Sequence, residues 1–123
     1  MAKKILAIDD ENDALLILKT ALGGEGYDVI TASNGMDGLA MAQQEKPDLI
    51  ILDLIMPEMS GLEVLNELKS NDDTGLIPVI VVSGVSQKEM IKTTITHGID
   101  YYIIKPYNYN ELIAKVQQAL AEK

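Results

Sequence analysis

The sequence predicts an α/β fold: a doubly wound five-stranded parallel sheet of order 2-1-3-4-5, with helices on both faces. Two observations carry this prediction. Strand and helix patterns alternate five times along the chain, as they do where parallel strands are joined by crossover helices. Three of the strands are continuous apolar runs (Ile5 to Ile8, Leu49 to Leu52, Val79 to Val82), whereas the other two mix polar and apolar residues. A parallel strand covered on both faces is apolar throughout, so the continuous runs are central and strands two and five are edges. The order 2-1-3-4-5 satisfies that placement. It also puts the reversal of winding, where ligands collect in such sheets, at the carboxyl ends of strands one and three.

Strand one runs from Lys3 to Asp9 and closes on adjacent acids, Asp9-Asp10-Glu11. The helix after it carries Ala14, Leu15, Leu18, Ala21 and Leu22 at three- and four-residue steps, and Gly23-Gly24-Glu25-Gly26 halts it. Tyr27 to Ala32 is the second strand. Asn34 with Asp37 opens a second helix, whose stripe is Met36, Leu39, Ala40 and Ala42, and Lys46-Pro47 ends it. After the third strand, Asp53 stands where the apolar run stops and Pro57 blocks its extension. Ser60 and Glu63 then form a capping box for a helix that turns Leu62, Leu65 and Leu68 inward. Asn71 to Gly75 reads as an ordinary polar loop.

Pro78 begins the fourth strand, where its missing N–H does little harm, and the run ends at Ser83. Ser86 and Glu89 repeat the capping-box spacing before a helix that ends near His97-Gly98, where a partly positive imidazole suits the helix dipole. Tyr101 to Ile104 is the fifth strand and closes on Lys105-Pro106. Asn108 with Glu111 caps the last helix, striped by Leu112, Ile113, Val116, Ala119 and Leu120.

Composition narrows the function. The 123 residues, 47% of them hydrophobic, suit one domain, residues 1–123, able to bury its own core. There is no cysteine, which excludes disulfides, zinc–thiolate sites and thiol nucleophiles. The apolar run after Lys3-Lys4 is too short for a signal or membrane segment, so the expected location is cytoplasmic, with no membrane contact. A formal net charge of -9 repels phosphate backbones and argues against direct nucleic-acid binding.

The strand ends matter as a group. Asp9-Asp10, Asp53, Ser83 and Lys105 all follow strands, and the predicted order brings them to one edge of the sheet. An aspartate after a strand is by itself often only a turn former. Three acids, a hydroxyl and a lysine at the switch point form a chemically coherent set instead. Carboxylates about 4 Å apart repel by several kcal/mol at an effective dielectric near 20, so the cluster calls for counter-charge. Lys105 supplies one unit and a hard divalent cation, Mg2+, the rest; with one histidine and no cysteine, a soft-metal site is excluded. Asp53 then either holds the metal for another reactant or is itself the nucleophile that accepts a phosphoryl group.

Asp9-Asp10 after strand one, the stretch Asp53-Leu-Ile-Met-Pro-Glu-Met-Ser-Gly, Val-Val-Ser83-Gly and Lys105-Pro106 together resemble the receiver domain of two-component response regulators, a flavodoxin-like fold, over essentially the whole chain. Each motif is weak alone; four in order are specific. The resemblance implies that Asp53 is the phosphoacceptor, that Asp10 binds Mg2+ directly and Asp9 largely through water, and that the Ile55 carbonyl completes the metal site. It further implies that Lys105 binds the phosphoryl group, that Lys105-Pro106 is cis, and that Ser83 and Tyr102 are a switch pair. Ile55, Gly84 and Val85 fall at positions that influence the phosphoryl lifetime.

The implied partners are a sensor histidine kinase or a histidine phosphotransfer protein, and a downstream protein met by the surface of helix four, strand five and helix five. Tyr101, Tyr102, Tyr107 and Tyr109 cluster near that surface. The expected assembly is a monomer or a weak phosphorylation-dependent dimer, with at most slow self-catalysed turnover. The Met1 start and short tail favour a stand-alone receiver over one cut from a longer regulator. Two alternatives share parts of the pattern: a degenerate receiver that only binds partners, and a flavodoxin-like electron carrier. The complete acidic pocket counts against the first, and Asp-Asp-Glu in place of a hydroxyl- and glycine-rich loop counts against the second.

Overall fold

The computed structural model describes residues 2–121. In chain order the elements are β1 (Lys4–Ile8), α1 (Asn12–Gly24), β2 (Asp28–Ala32), α2 (Gly35–Glu45), β3 (Leu49–Leu52), α3 (Gly61–Ser70), β4 (Val79–Ser83), α4 (Lys88–Thr96), β5 (Tyr101–Ile104) and α5 (Tyr109–Ala121). The sheet has the order β2-β1-β3-β4-β5, every pairing parallel. β1, β3 and β4 are buried along almost their whole length, and β2 and β5 carry partly exposed residues, as the apolar patterns require of centre and edge.

Alternation along each strand divides the core in two. Ile5, Ala7, Leu49, Ile51, Ile80 and Val82 face α1 and α5, meeting Leu15, Leu18, Leu22, Leu112 and Val116. Leu6, Ile8, Ile50, Leu52, Val79 and Val81 face the other way, toward Ala42, Val64, Leu65 and Leu68 of α2 and α3. Stacking helices against both faces of one sheet leaves the strand ends as the accessible polar edge.

Three local readings are corrected. In α2, Met36 is 71% exposed and Ala40 is also exposed, whereas Gly35, Gly38 and Ala42 face inward. A Cβ on Gly38 would stand 2.6 Å from Ile8 Cδ1, so the helix lies so close to β1 that its contact face is built of glycine, which a count of large apolar residues does not find. In α3, Val64 is buried with Leu65 and Leu68, and Leu62 is only partly covered. The Ser86/Glu89 box is not formed: α4 begins at Lys88 behind Gln87, without a side-chain cap. At α5, Asn108 accepts from the N–H of Asn110 at 2.7 Å, tightening the entry turn.

The stretch from Asn71 to Gly75 is more than a polar connection. Thr74 is 2% exposed and donates from Oγ1 to the Leu68 carbonyl at 2.7 Å, and Lys69 Nζ donates to the carbonyls of Gly75 and Ile77 at 3.3 and 3.2 Å. These bonds satisfy the Leu68 carbonyl in the last turn of α3 and two backbone acceptors beyond its end.

Candidate functional site

The parallel register places the predicted residues side by side. Asp53 N–H donates to the Ile8 carbonyl at 3.0 Å, which sets the first residue after β3 beside Asp9, the first after β1. Lys105 N–H donates to the Ser83 carbonyl at 2.8 Å, continuing the β4–β5 ladder one step beyond the strand. Asp9, Asp10 and Asp53 each offer a carboxylate oxygen, all within 4.8 Å of one another. Asp9 and Asp53 are buried, at 4% and 7% exposure, while Asp10 is open to solvent.

Lys105 bridges the two buried acids, with Nζ 3.1 Å from Asp9 Oδ2 and 3.4 Å from Asp53 Oδ2. The remaining carboxylate bonds come from backbone: Glu11 N–H donates to Asp9 Oδ1 at 2.9 Å and Ile55 N–H to Asp53 Oδ1 at 3.3 Å. Burial pushes the Asp53 carboxyl above its ordinary value; the Lys105 charge pulls it down and the neighbouring Asp9 pushes it up again. For Lys105, burial works against the charge, but the hydrogen bond and charge of Asp9, with the charge of Asp53, leave it raised. One ammonium thus partly offsets three carboxylates. The donor set is all hard oxygen, which fits Mg2+ and not a thiolate or imidazole metal.

Ser83 is fully buried at the end of β4, and its Oγ accepts from Val85 N–H at 3.2 Å. Tyr102 packs against the α2/α3 side of the core and donates its hydroxyl to the Val85 carbonyl at 2.6 Å. Burial raises the Tyr102 phenol, a hydrogen bond with Ser83 opposes that shift, and the Asp53 charge adds to it. Ser83, Val85 and Tyr102 therefore form one hydrogen-bonded group beside the Asp53 edge. The Lys105-Pro106 bond is cis, in agreement with the resemblance. Ile55 is 62% exposed at the rim.

The sequence reading passes over one positioning residue. A Cβ on Gly61 would lie 2.3 Å from the Asp53 carbonyl oxygen and 2.5 Å from Leu54 Cα, so the start of α3 packs directly on the backbone of the acid. Its N–H donates to the Leu54 carbonyl at 2.8 Å and closes the loop that follows Asp53. The signal is present as a glycine directly after the capping serine. His97 stands apart from the cluster and contacts the Thr93 carbonyl through Nδ1 at 2.7 Å.

An acid triad with a lysine, at the switch point of a 2-1-3-4-5 sheet, defines a receiver-type domain, and comparison with known proteins agrees. Residues 5–117 match the response regulator receiver domain family, and the chain belongs to it. It is 39% identical over 118 residues to a probable transcriptional regulator ycf27 of Porphyridium aerugineum, covering 96% of this chain and 48% of that protein. It is 37% identical over 120 residues to the alkaline phosphatase synthesis transcriptional regulatory protein PhoP of Bacillus subtilis, covering 98% and 49%. The chain thus spans about half the length of these relatives.

Among solved structures, a CheY-like receiver domain protein from Methanospirillum hungatei superposes with a TM-score of 0.93 at 32% identity, covering 99% of this chain and 96% of that one. Chemotaxis protein CheY4 of Vibrio cholerae superposes with a TM-score of 0.92 at 28% identity, covering 98% and 100%. The chain is a signalling domain of two-component systems with the flavodoxin-like fold, and the electron-carrier reading is not favoured. Among the described residues, no helix is long and apolar enough to cross a membrane.

Proposed function

We propose that Asp53 accepts a phosphoryl group from a sensor histidine kinase or a histidine phosphotransfer protein. A carboxylate oxygen of Asp53 attacks phosphorus, the P–N bond to the donor imidazole breaks, and the imidazole leaves to take up a proton. The observation that carries this is the environment of Asp53: buried, at the switch point, with Lys105 Nζ 3.4 Å from one oxygen and the Ile55 N–H on the other. Lys105 opposes the upward pull of burial on the Asp53 carboxyl and is positioned to neutralise a phosphoryl oxygen. Ser83 offers its hydroxyl from the end of the adjacent strand.

Asp10, Asp9, Asp53 and the Ile55 carbonyl would hold Mg2+, which supplies positive charge against the transferring oxygens when bound. Residues 1–123 act as one receiver unit in the cytoplasm, passing the signal by protein contact through α4, β5 and α5, as a monomer or a weak phosphorylation-dependent dimer, without contacting nucleic acid through this domain. The Ser83–Val85–Tyr102 group supports this route because it joins the acceptor edge to β5. Turnover is limited to slow self-catalysed phosphorylation and dephosphorylation. Replacing Ser83 with alanine tests the route: Asp53 should still be modified, while the backbone NMR shift changes around Tyr102 on activation should shrink. Identical shift changes in Ser83→Ala and wild type would overturn it.

A further inference from the structure

Asn34 is the one asparagine of six that precedes a glycine. Glycine has no side chain to shield its nitrogen and lets the peptide turn freely, so an asparagine in that position is the one whose side chain the next backbone nitrogen attacks most readily. Asn34 is exposed, and with Gly35 it lines an open cavity of about 450 Å³ between the start of α2 and the loop after β3. Water therefore reaches both residues.

In the folded chain the same side chain is the N-cap of α2. Its Oδ1 accepts from Asp37 N–H at 2.8 Å and its Nδ2 donates to Asp37 Oδ2 at 3.0 Å, so the amide is held toward Asp37. Little else secures this turn. Gly35 and Gly38 face inward with no side chain to bury, Met36 is 71% exposed, and Asp37 is exposed as well. Both glycines also weaken the helix locally. The first turn of α2 thus opens at a far smaller cost than unfolding of the whole domain.

We propose that Asn34-Gly35 is a site of spontaneous deamidation, gated by opening of the first turn of α2. With the cap released, the Gly35 nitrogen gives its proton to hydroxide and bonds to Asn34 Cγ; the Cγ–Nδ2 bond breaks and ammonia leaves. Water then adds to either carbonyl of the succinimide and breaks one of its two C–N bonds, yielding aspartate or isoaspartate. Aspartate keeps a capping oxygen but sets a second carboxylate against Asp37 where a donor stood at 3.0 Å. Isoaspartate lengthens the backbone ahead of Gly35, where a Cβ would already stand 2.8 Å from Val64 Cγ2, so the cap does not re-form in place. None of this chemistry depends on Asp53.

The test is incubation of the whole chain at neutral pH for several weeks, native and in guanidinium chloride, followed by peptide mass and chromatographic separation of isoaspartate from aspartate. Conversion at Asn34 ahead of every other asparagine is expected, at least about tenfold faster in the unfolded chain than in the native one. Asp37→Ala removes the acceptor that holds Nδ2 and should convert at least about threefold faster than wild type while still folded. Asn34→Ser keeps a capping oxygen without an amide and should lose the mass change. Conversion led by another asparagine, equal rates in native and unfolded chain, a native chain that stays unconverted across the incubation, or an Asp37→Ala rate no higher than wild type would overturn the proposal.

Discussion

Asp53 must be ionised to act as a nucleophile, yet it sits where ionisation is costly. Burial raises its pKa, Lys105 lowers it and Asp9 raises it, with a net upward shift. A carboxyl raised on folding contributes stability that is fully present below its ordinary value of 3.8 and lost as pH rises through the folded value. At neutral pH without Mg2+, Asp53→Asn is therefore expected to raise the melting temperature, by roughly 2–5 °C, and the gain should vanish in acid below the ordinary carboxyl range. Thermal melts at several pH values in chelator check the sign. Gly61 makes the opposite prediction: Gly61→Ala drives a Cβ into the Asp53 carbonyl and should cost about 3 kcal/mol in urea unfolding. Asp53 and Lys105 were legible in the sequence because each directly follows a predicted strand. The demand on Gly61 was not, because a close backbone approach is a property of two segments brought together by the fold.

At the scale of elements, the two Ser-x-x-Glu spacings separate sequence pattern from structure. Ser60 Oγ accepts from Glu63 N–H at 3.3 Å and Glu63 Oε1 from Ser60 N–H at 3.2 Å, a complete box on α3. α4 starts two residues after Ser86, and the loop before it is tied instead by the bonds of Val85 to Ser83 and Tyr102. Ser60→Ala should therefore cost about 1 kcal/mol in chemical denaturation, and Ser86→Ala almost nothing. Equal losses would contradict these helix starts. Strand centres, edges and helix order follow from apolar patterning and were legible. The inward face of α2 was not, because contact through Gly35 and Gly38 carries no hydrophobic signal.

For the whole molecule, the topology converts four separate strand ends into one polar edge, and the excess of acid there is what a divalent cation would relieve. Mg2+ at a hundredfold excess over its dissociation constant should stabilise the domain by about 2.7 kcal/mol, and Asp10→Asn should weaken that response, as melts across a Mg2+ series would register. The sheet order was readable because 2-1-3-4-5, a common order of doubly wound sheets, puts both mixed strands at the edges and keeps the three apolar runs inside. The site became readable through that order, since no single motif joins Asp9, Asp53 and Lys105 along the chain. The most direct measurement is intact mass after incubation with acetyl phosphate and Mg2+, for wild type and Asp53→Asn. A single added phosphoryl group on wild type, lost in Asp53→Asn and on chelation of Mg2+, is the predicted result; modification that persists in Asp53→Asn, or that ignores the loss of Mg2+, would contradict the assignment of Asp53 as the acceptor.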